Sequence, residues 1–390
     1  MKWLERFQTI LLVAGVGFFV VAFLGMGVAP WTTLKDLTPP AGVAERTPQE
    51  EHGREIFMHE GCWHCHTQFV RPIAGEPLRY GPVSFAAEYL REVPQLFGTR
   101  RVGPDLAREA GQRPDDWHLA HFYNPRHTTP WSIMPGYPWL FETRDGRVTP
   151  TDDANDLVAY MQSIGRATQP TIAARDEAYR AQFVVGTGPE RTPETTEHGH
   201  TLFARECQGC HGPASAEGGP AFGGGGGASA ALLQPPAADL TAVQPTAAYV
   251  YQVLHLGIPG SSMPSFRDYR SDDLWAIAHY VQTLGKPDNV AIPELSEDVI
   301  AQAKAQFEML CAVCHGTAGH GDGPAGLALR PAPPDLHGLR PSEPRIREVI
   351  ESGVPGTAMA PFPQITPSER RRIATYLQRL WQTTATGSTP

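Results

Sequence analysis

All six cysteines of this 390-residue chain fall into three copies of one pentapeptide: Cys62-Trp-His-Cys65-His66, Cys207-Gln-Gly-Cys210-His211 and Cys311-Ala-Val-Cys314-His315. Nothing else in the chain constrains folding so tightly, because the pattern imposes one local geometry on three separate stretches. Cysteines three apart lie on one face of a helical turn. Two sulfurs so placed can bond the two vinyl groups of one porphyrin, and the following His offers a ring nitrogen to its iron. Zinc would need four donors at each site, and thioredoxin-type dithiols sit in a βαβ context; neither explains a His after every pair. The expectation is three covalently bound haem c groups, on Cys62 and Cys65, Cys207 and Cys210, and Cys311 and Cys314, with His66, His211 and His315 as proximal iron ligands.

Each pentapeptide is followed by a methionine in a comparable setting. Met134 lies in Ser-Ile-Met-Pro-Gly-Tyr, Met263 in Ser-Ser-Met-Pro-Ser-Phe and Met359 in Thr-Ala-Met-Ala-Pro-Phe, 68, 52 and 44 residues after their histidines. Methionine is more often core filler than ligand, but the small polar residues and prolines nearby argue for loops. Met134, Met263 and Met359 are therefore the expected distal ligands, although Met359 lacks the Pro that directly follows the other two. A His/Met pair fills both axial positions and leaves no open site for oxygen, peroxide or substrate. The chain is thus expected to move electrons and to hold no catalytic centre of its own, with a dihaem peroxidase as the rival if Met359 does not bind iron. Thioether ligation raises the potential relative to two histidines, which suits the high-potential end of a respiratory chain. Haem propionates need partners when partly buried; Arg71, Arg100 and Arg101 are the candidates, since guanidinium matches carboxylate with a two-pronged fork.

The repeats extend past the ligands. A helix-like run with an aromatic precedes each pentapeptide: Gly53-Arg-Glu-Ile-Phe57, Gly199-His-Thr-Leu-Phe203 and Ala303-Lys-Ala-Gln-Phe307. After each Met comes a helix, at 153–164 with Tyr160, 271–284 with Tyr280 and 367–381 with Tyr376, in which apolar residues such as Leu274, Ile277, Ala278 and Val281 recur at helical spacing. The expected fold class is all-α: class I cytochrome c domains in tandem at 49–166, 197–285 and 297–384, each with its first and last helices crossing beside the haem. Between them lie a stalk at 31–48, a polar linker at 167–196 with room for a short helix, a shorter linker at 286–296, and a tail at 385–390. Abundant Gly (39) and Pro (38) favour small units with much irregular loop. The glycine run at 223–227 opens no helix after a strand, so it reads as a flexible loop and not as a phosphate loop.

Residues 1–30 contain the one membrane-like segment. Ile10 to Ala29 is 20 residues without a charge, enough at about 1.5 Å per residue to cross a hydrocarbon core of roughly 30 Å. Lys2 and Arg6 precede it, so the positive-inside rule keeps the N-terminus in the cytoplasm and sends everything after Trp31 to the periplasmic side of a bacterial inner membrane. Trp3 and Trp31 would mark the two interfaces. A cleaved signal is the competing reading, since Gly27-Val28-Ala29 offers small residues; Pro30 after that point and the length of the run favour a retained single-pass anchor. With a net charge of −9 and no basic stripe, a nucleic-acid partner has no electrostatic support.

The first repeat is more specific than the other two. The stretch from Gly53 through Cys62-Trp-His-Cys65-His66 to Arg71-Pro72 resembles the mono-haem subunit (subunit II) of cbb3-type cytochrome c oxidases. So do Arg79-Tyr80-Gly81, Arg101-Val-Gly-Pro-Asp-Leu-Ala-Arg108, Trp117-His118, Asn124-Pro125-Arg126 and Ser132-Ile-Met134-Pro-Gly-Tyr-Pro-Trp139-Leu140. The resemblance covers the anchor and residues up to about 165. It implies that Cys62, Cys65, His66 and Met134 hold the haem of this domain. The family member ends there, whereas this chain continues into two more domains that resemble class I cytochromes only generically, so the whole is similar to a fusion of subunit II with the two cytochrome domains of the dihaem subunit III. The expected role is electron entry to a cbb3-like haem–copper oxidase. A soluble cytochrome c or copper protein donates, and haem b of a separate catalytic subunit receives. Two rivals stand beside it: a trihaem cytochrome subunit of a membrane quinoprotein dehydrogenase, and the cytochrome subunit of a nitric oxide reductase-like enzyme.

Overall fold

Hydroxyl residues open the first helix of every repeat. Thr47, Thr192 and Ser296 sit at the N-caps, with Pro48 and Pro193 in the first turn of two of them, where the missing N–H costs nothing. Thr47 and Glu50 close a reciprocal capping box, at 3.2 and 2.9 Å. The computed structural model describes residues 2–39, 42–73, 75–129, 132–144, 147–212, 233–285 and 295–386. The glycine run at 223–227 and linker residues 286–294 lie outside them.

Helix is the main regular structure of the described residues. The elements are α1 (Lys2–Phe23), α2 (Ala29–Leu34), α3 (Pro48–His59), α4 (Glu76–Tyr80), α5 (Asp115–Tyr123), α6 (Pro125–Thr128), α7 (Asp152–Ser163) and α8 (Gln169–Gln182). They continue as α9 (Pro193–Glu206), α10 (Gln208–His211), α11 (Ala247–Leu256), α12 (Ser271–Val281), α13 (Glu297–Leu310) and α14 (Ala312–His315). The last are α15 (Leu336–Leu339), α16 (Glu343–Ser352) and α17 (Pro367–Thr386). One antiparallel hairpin, β1 (Phe141–Arg144) on β2 (Arg147–Pro150), pairs Phe141 with Pro150 and is the departure from an all-helical reading. Helix α8 fills the linker in which a short helix was expected.

Packing divides the chain into two compact units that do not follow the repeats: Met1–Ala110 with Gln162–Ile172, and Gly111–Met161 with Ala173–Pro390. In the first, α1 and α2 are joined by a π-helical turn at Leu24–Val28. The resulting helix, Arg6–Leu34, is long and apolar enough to cross a membrane, and none of it is buried. It is longer than the uncharged stretch, so the start of the expected stalk is helical; Pro30, which has no N–H to give to the ladder, comes just after the wide π turn, in the first turn of α2. Away from that helix, buried arginines tie loops together. Arg54, 2% exposed, reaches Glu92 at 3.3 Å and the Pro94 carbonyl. Arg108 grips Glu88 through two bonds of 2.6 and 2.8 Å.

The second unit holds two cores of the same plan. In one, α9 crosses α12 with Leu202, Phe203, Leu274, Ile277 and Tyr280 buried. A Cβ on Gly199 would collide with the Ala276 carbonyl, so glycine sets how closely the two helices approach. In the other, α13 packs on α17 through Ala303, Phe307, Ile373 and Tyr376. Phe203 tilts against Tyr280 with centroids 5.3 Å apart, and Phe307 against Tyr376 at 5.9 Å. Each buried aromatic or large aliphatic side chain contributes about 1.5–3 kcal/mol, and both cores sit behind the Cys-x-x-Cys-His segments they support.

Candidate haem sites

Each pentapeptide adopts the same tight turn. The amides of Cys65 and His66 both donate to the Cys62 carbonyl, at 3.1 and 3.0 Å. Those of Cys210 and His211 donate to Cys207 (3.2 and 3.0 Å), and those of Cys314 and His315 to Cys311 (3.1 and 2.9 Å). In the second and third copies the first cysteine caps the preceding helix and a one-turn helix follows; in the first, Gly61 at φ +71° turns the chain into the segment. None of the six cysteines is in a disulfide. Burial pushes three of the thiols up, to about 12 for Cys207 and about 11 for Cys210 and Cys311, which at those positions disfavours the thiolate that zinc or redox chemistry requires. Among the described residues no three His, Cys, Asp or Glu side chains gather as a metal cluster. An apolar macrocycle held by neutral thioethers suits these positions; a hard or charged group does not.

Two of the three imidazoles are aimed by backbone carbonyls. His66 Nδ1 lies 2.8 Å from the Pro104 oxygen, and His211 Nδ1 lies 3.0 Å from that of Ala238. A ring that donates from Nδ1 keeps Nε2 as the lone-pair nitrogen for iron. Burial lowers all three histidines below their ordinary value, against the pull of the carbonyl at His66 and His211, so the neutral ligand form prevails. His315 Nδ1 is buried without such a partner among the described residues. A Cβ on Gly103 would run into the His66 ring, so that position admits no side chain.

Both carbonyls precede an Asp-Leu pair, and the sequence repeats that pair after Pro334 in the third domain. Asp105 accepts from the Ala107 amide at 2.9 Å, Asp239 from Thr241 at 2.8 Å and Asp335 from His337 at 3.0 Å. The repeated Asp-Leu, three times after Pro or Ala, was the available signal. In the first domain Asp105 also receives Thr67 Oγ1 (2.6 Å), the Phe69 amide (2.9 Å) and Arg101 (3.1 Å), making it the hub of the loop that presents the Pro104 carbonyl.

The three methionines share a loop geometry as well. The amides of Met134, Met263 and Met359 bond the hydroxyls of Ser132 (3.2 Å), Ser261 (3.2 Å) and Thr357 (3.0 Å). Three residues beyond each Met, the amides of Tyr137, Phe266 and Phe362 bond Phe122, Leu254 and Ile350 at 2.7–2.8 Å. Met359 therefore occupies the same device as the others despite lacking the adjacent Pro. His66 belongs to the first compact unit and Met134 to the second, while His211, Met263, His315 and Met359 all belong to the second.

Of the arginines expected at propionates, two meet a protein carboxylate. Arg71 bonds Glu76 through its amide (2.7 Å) and Nε (2.6 Å), and Arg101 pairs with both Glu76 and Asp105. Burial alone would raise Glu76, but the two guanidiniums hold it at about 2. Arg100 is exposed.

Small helical domains that combine a Cys-x-x-Cys-His turn with a Met loop define a c-type cytochrome; that pair recurs three times along this chain, and in two of the copies a backbone carbonyl aims the imidazole. Residues 1–182 match the family model of the cytochrome c oxidase mono-heme subunit, FixO; residues 196–285 match cytochrome c; and residues 298–377 match cytochrome c oxidase, cbb3-type, subunit III. The chain thus carries the mono-haem module of a cbb3-type oxidase followed by two cytochrome c domains. No curated protein matches it. Among solved structures, the Kuenenia stuttgartiensis reducing HAO-like protein complex Kustc0457/Kustc0458 is similar at 20% identity and a TM-score of 0.23, over 49% of this chain and 99% of that chain; the likeness is too slight to bear on the fold.

Proposed function

We propose that this chain is the trihaem electron-relay subunit of a cbb3-like oxidase, anchored in a bacterial inner membrane with its haem domains on the periplasmic side. A soluble cytochrome c or copper protein would supply electrons, and haem b in a separate haem–copper subunit would receive them for oxygen reduction. The observation that carries the reading is the coincidence of a FixO match over residues 1–182 with three copies of one Cys-turn and Met-loop device.

The haems, when bound, supply one-electron iron chemistry; the rest is the work of these residues. Cys62, Cys65, Cys207, Cys210, Cys311 and Cys314 would tether the macrocycles, so that a haem is not lost when its iron changes charge. His66, His211 and His315 would ligate through Nε2, and the carbonyls of Pro104 and Ala238 fix two of those rings against rotation. Met134, Met263 and Met359 would close the sixth positions and so exclude oxygen and peroxide, which confines the chain to electron transfer. The buried cores behind the second and third turns would hold those segments in place and so limit reorganisation when an electron arrives.

The test is isolation of the complex from native membranes through a tag on this chain. Co-purification of a haem b and copper subunit, three haem c per chain and cyanide-sensitive oxygen uptake is the expected result. Recovery of a quinoprotein dehydrogenase, or of this cytochrome alone with a high-spin haem, would overturn it.

A further inference from the structure

Helix α5 serves the Met loop of its own domain: its Phe122 carbonyl accepts the Tyr137 amide at 2.8 Å, three residues beyond Met134. Leu254 of α11 and Ile350 of α16 do the same for the Met loops of the second and third domains. The three helices are therefore equivalent, with Phe122, Leu254 and Ile350 at matching positions. Six residues earlier in each stand Asp116, Ala248 and Pro344. Of these three side chains, that of Asp116 alone can accept a hydrogen bond.

Asp116 uses that capacity outside its own domain. Its Oδ2 accepts the Gln234 amide at 2.5 Å and the Ser262 hydroxyl at 3.3 Å. All three residues belong to one compact unit. In the same unit α6, which directly follows α5, packs on α10, the turn that carries Cys210 and His211.

The two donors serve the two axial ligands expected at the second haem. Ser262 directly precedes Met263, in the loop where Ser261 holds the Met263 amide. Gln234 opens the segment whose Ala238 carbonyl aims the His211 ring. A single carboxylate oxygen thus ties the distal loop to the proximal one.

The carboxylate is itself held in place. Helix α5 buries His118, Ala120 and Phe122, and Arg113 lies over the Trp117 ring, 4.9 Å from its centroid. Asp116 is half-buried, whereas Asp115 on the same turn is exposed. Burial raises the Asp116 carboxyl above its ordinary value, against the pull of both donors. Ser262 is buried too, so water does not readily replace the acceptor it would lose.

We infer that Asp116, a residue of the first domain, is a positioning residue for the second haem: its carboxylate clasps the loops that carry the two axial ligands and so keeps Met263 on the iron. The inference rests on the haem assignment proposed above and not on the oxidase assignment.

Cyanide replaces methionine on ferric haem when the Met–iron bond opens, so its rate of uptake reads how firmly the loop is held. In the purified, haem-loaded full chain, Met263→Ala identifies the second haem as the one that turns high-spin. Asp116→Ala is expected to take up cyanide at that haem about tenfold faster than the unaltered chain, the change that loss of one charge-assisted hydrogen bond brings. The first and third haems should react at unchanged rates. Asp116→Asn keeps a carbonyl oxygen for both donors and should stay within about threefold of the unaltered chain. Asp115→Ala removes the same charge from the same turn and should change none of the rates. Ser262→Ala should also speed uptake at the second haem, and adding it to Asp116→Ala should speed it no further, since both delete one bond. Ser262→Ala leaves the first domain untouched and carries the test if Asp116→Ala does not accumulate. Unchanged uptake at the second haem in Asp116→Ala and Ser262→Ala, an equal rise at all three haems, or additive effects of the two substitutions would overturn the inference. A Met263→Ala chain whose haems all stay low-spin would instead overturn the haem assignment beneath it.

Discussion

Asp105 is predicted to be the side chain on which the first haem site most depends. Its carboxylate is wholly buried and accepts four hydrogen bonds: from Thr67, the Phe69 amide, the Ala107 amide and Arg101. Asp105→Ala leaves two backbone donors unsatisfied in the interior at about 1–3 kcal/mol each, and it removes one partner of a buried ion pair, a change that by itself costs about 3–5 kcal/mol. These costs overlap, since Arg101 retains Glu76 and the Phe69 carbonyl. A loss of about 3–5 kcal/mol is the working figure, a large part of the roughly 5–15 kcal/mol that holds a domain together. Asp105→Asn, though isosteric, should lose nearly as much, because one side of its amide would present N–H groups to other donors. Denaturant unfolding of the haem-loaded chain, followed by Soret absorbance, measures the loss. The spectrum of the first haem should broaden in step, since the Pro104 carbonyl that aims His66 is carried by the residue immediately before Asp105. A loss below about 1 kcal/mol for both variants, with an unaltered spectrum, would refute the reasoning.

Acid should weaken the same region. Glu76 is held at about 2 against an ordinary value of 4.5, so its stabilising contribution is complete above pH 4.5 and fades as pH falls toward 2; Glu76→Gln should flatten that part of a plot of unfolding midpoint against pH. Gly199→Ala drives a methyl into the Ala276 carbonyl and should cost about 1–3 kcal/mol, read as a lowered thermal midpoint in the absorbance of the second haem. Met359→Ala should leave three covalent haems per chain but convert one of them to a high-spin form that binds cyanide; three low-spin haems in that variant would show that Met359 is not a ligand.

The main lines of this protein lie open in its sequence wherever the constraint is local. A Cys-x-x-Cys-His turn is made by five neighbouring residues, so its geometry follows from their spacing alone, and all three copies adopt it. The apolar N-terminal helix and the helices around Phe203, Tyr280, Phe307 and Tyr376 are legible for the same reason, since periodicity is a property of adjacent turns. The pairing of 141–144 with 147–150 has a local cause as well, since Asp145-Gly146 is a strong turn signal in the sequence.

Residue type says less about pairings that folding decides. Arg71 and Arg101 carry the right chemistry for propionates, yet folding sets Glu76 beside both. The carbonyl that aims His66 is 38 residues away, and Asp105 gathers donors from a strand of loop equally remote. By itself the sequence determined the repeated pattern of thiols, imidazoles and thioethers, and an apolar helix long enough to cross a membrane. Only the tertiary structure decided which carbonyls orient the rings and which arginines already face a protein carboxylate. Such choices depend on which backbone groups are left without partners once the helices have packed, and that is a property of the folded whole.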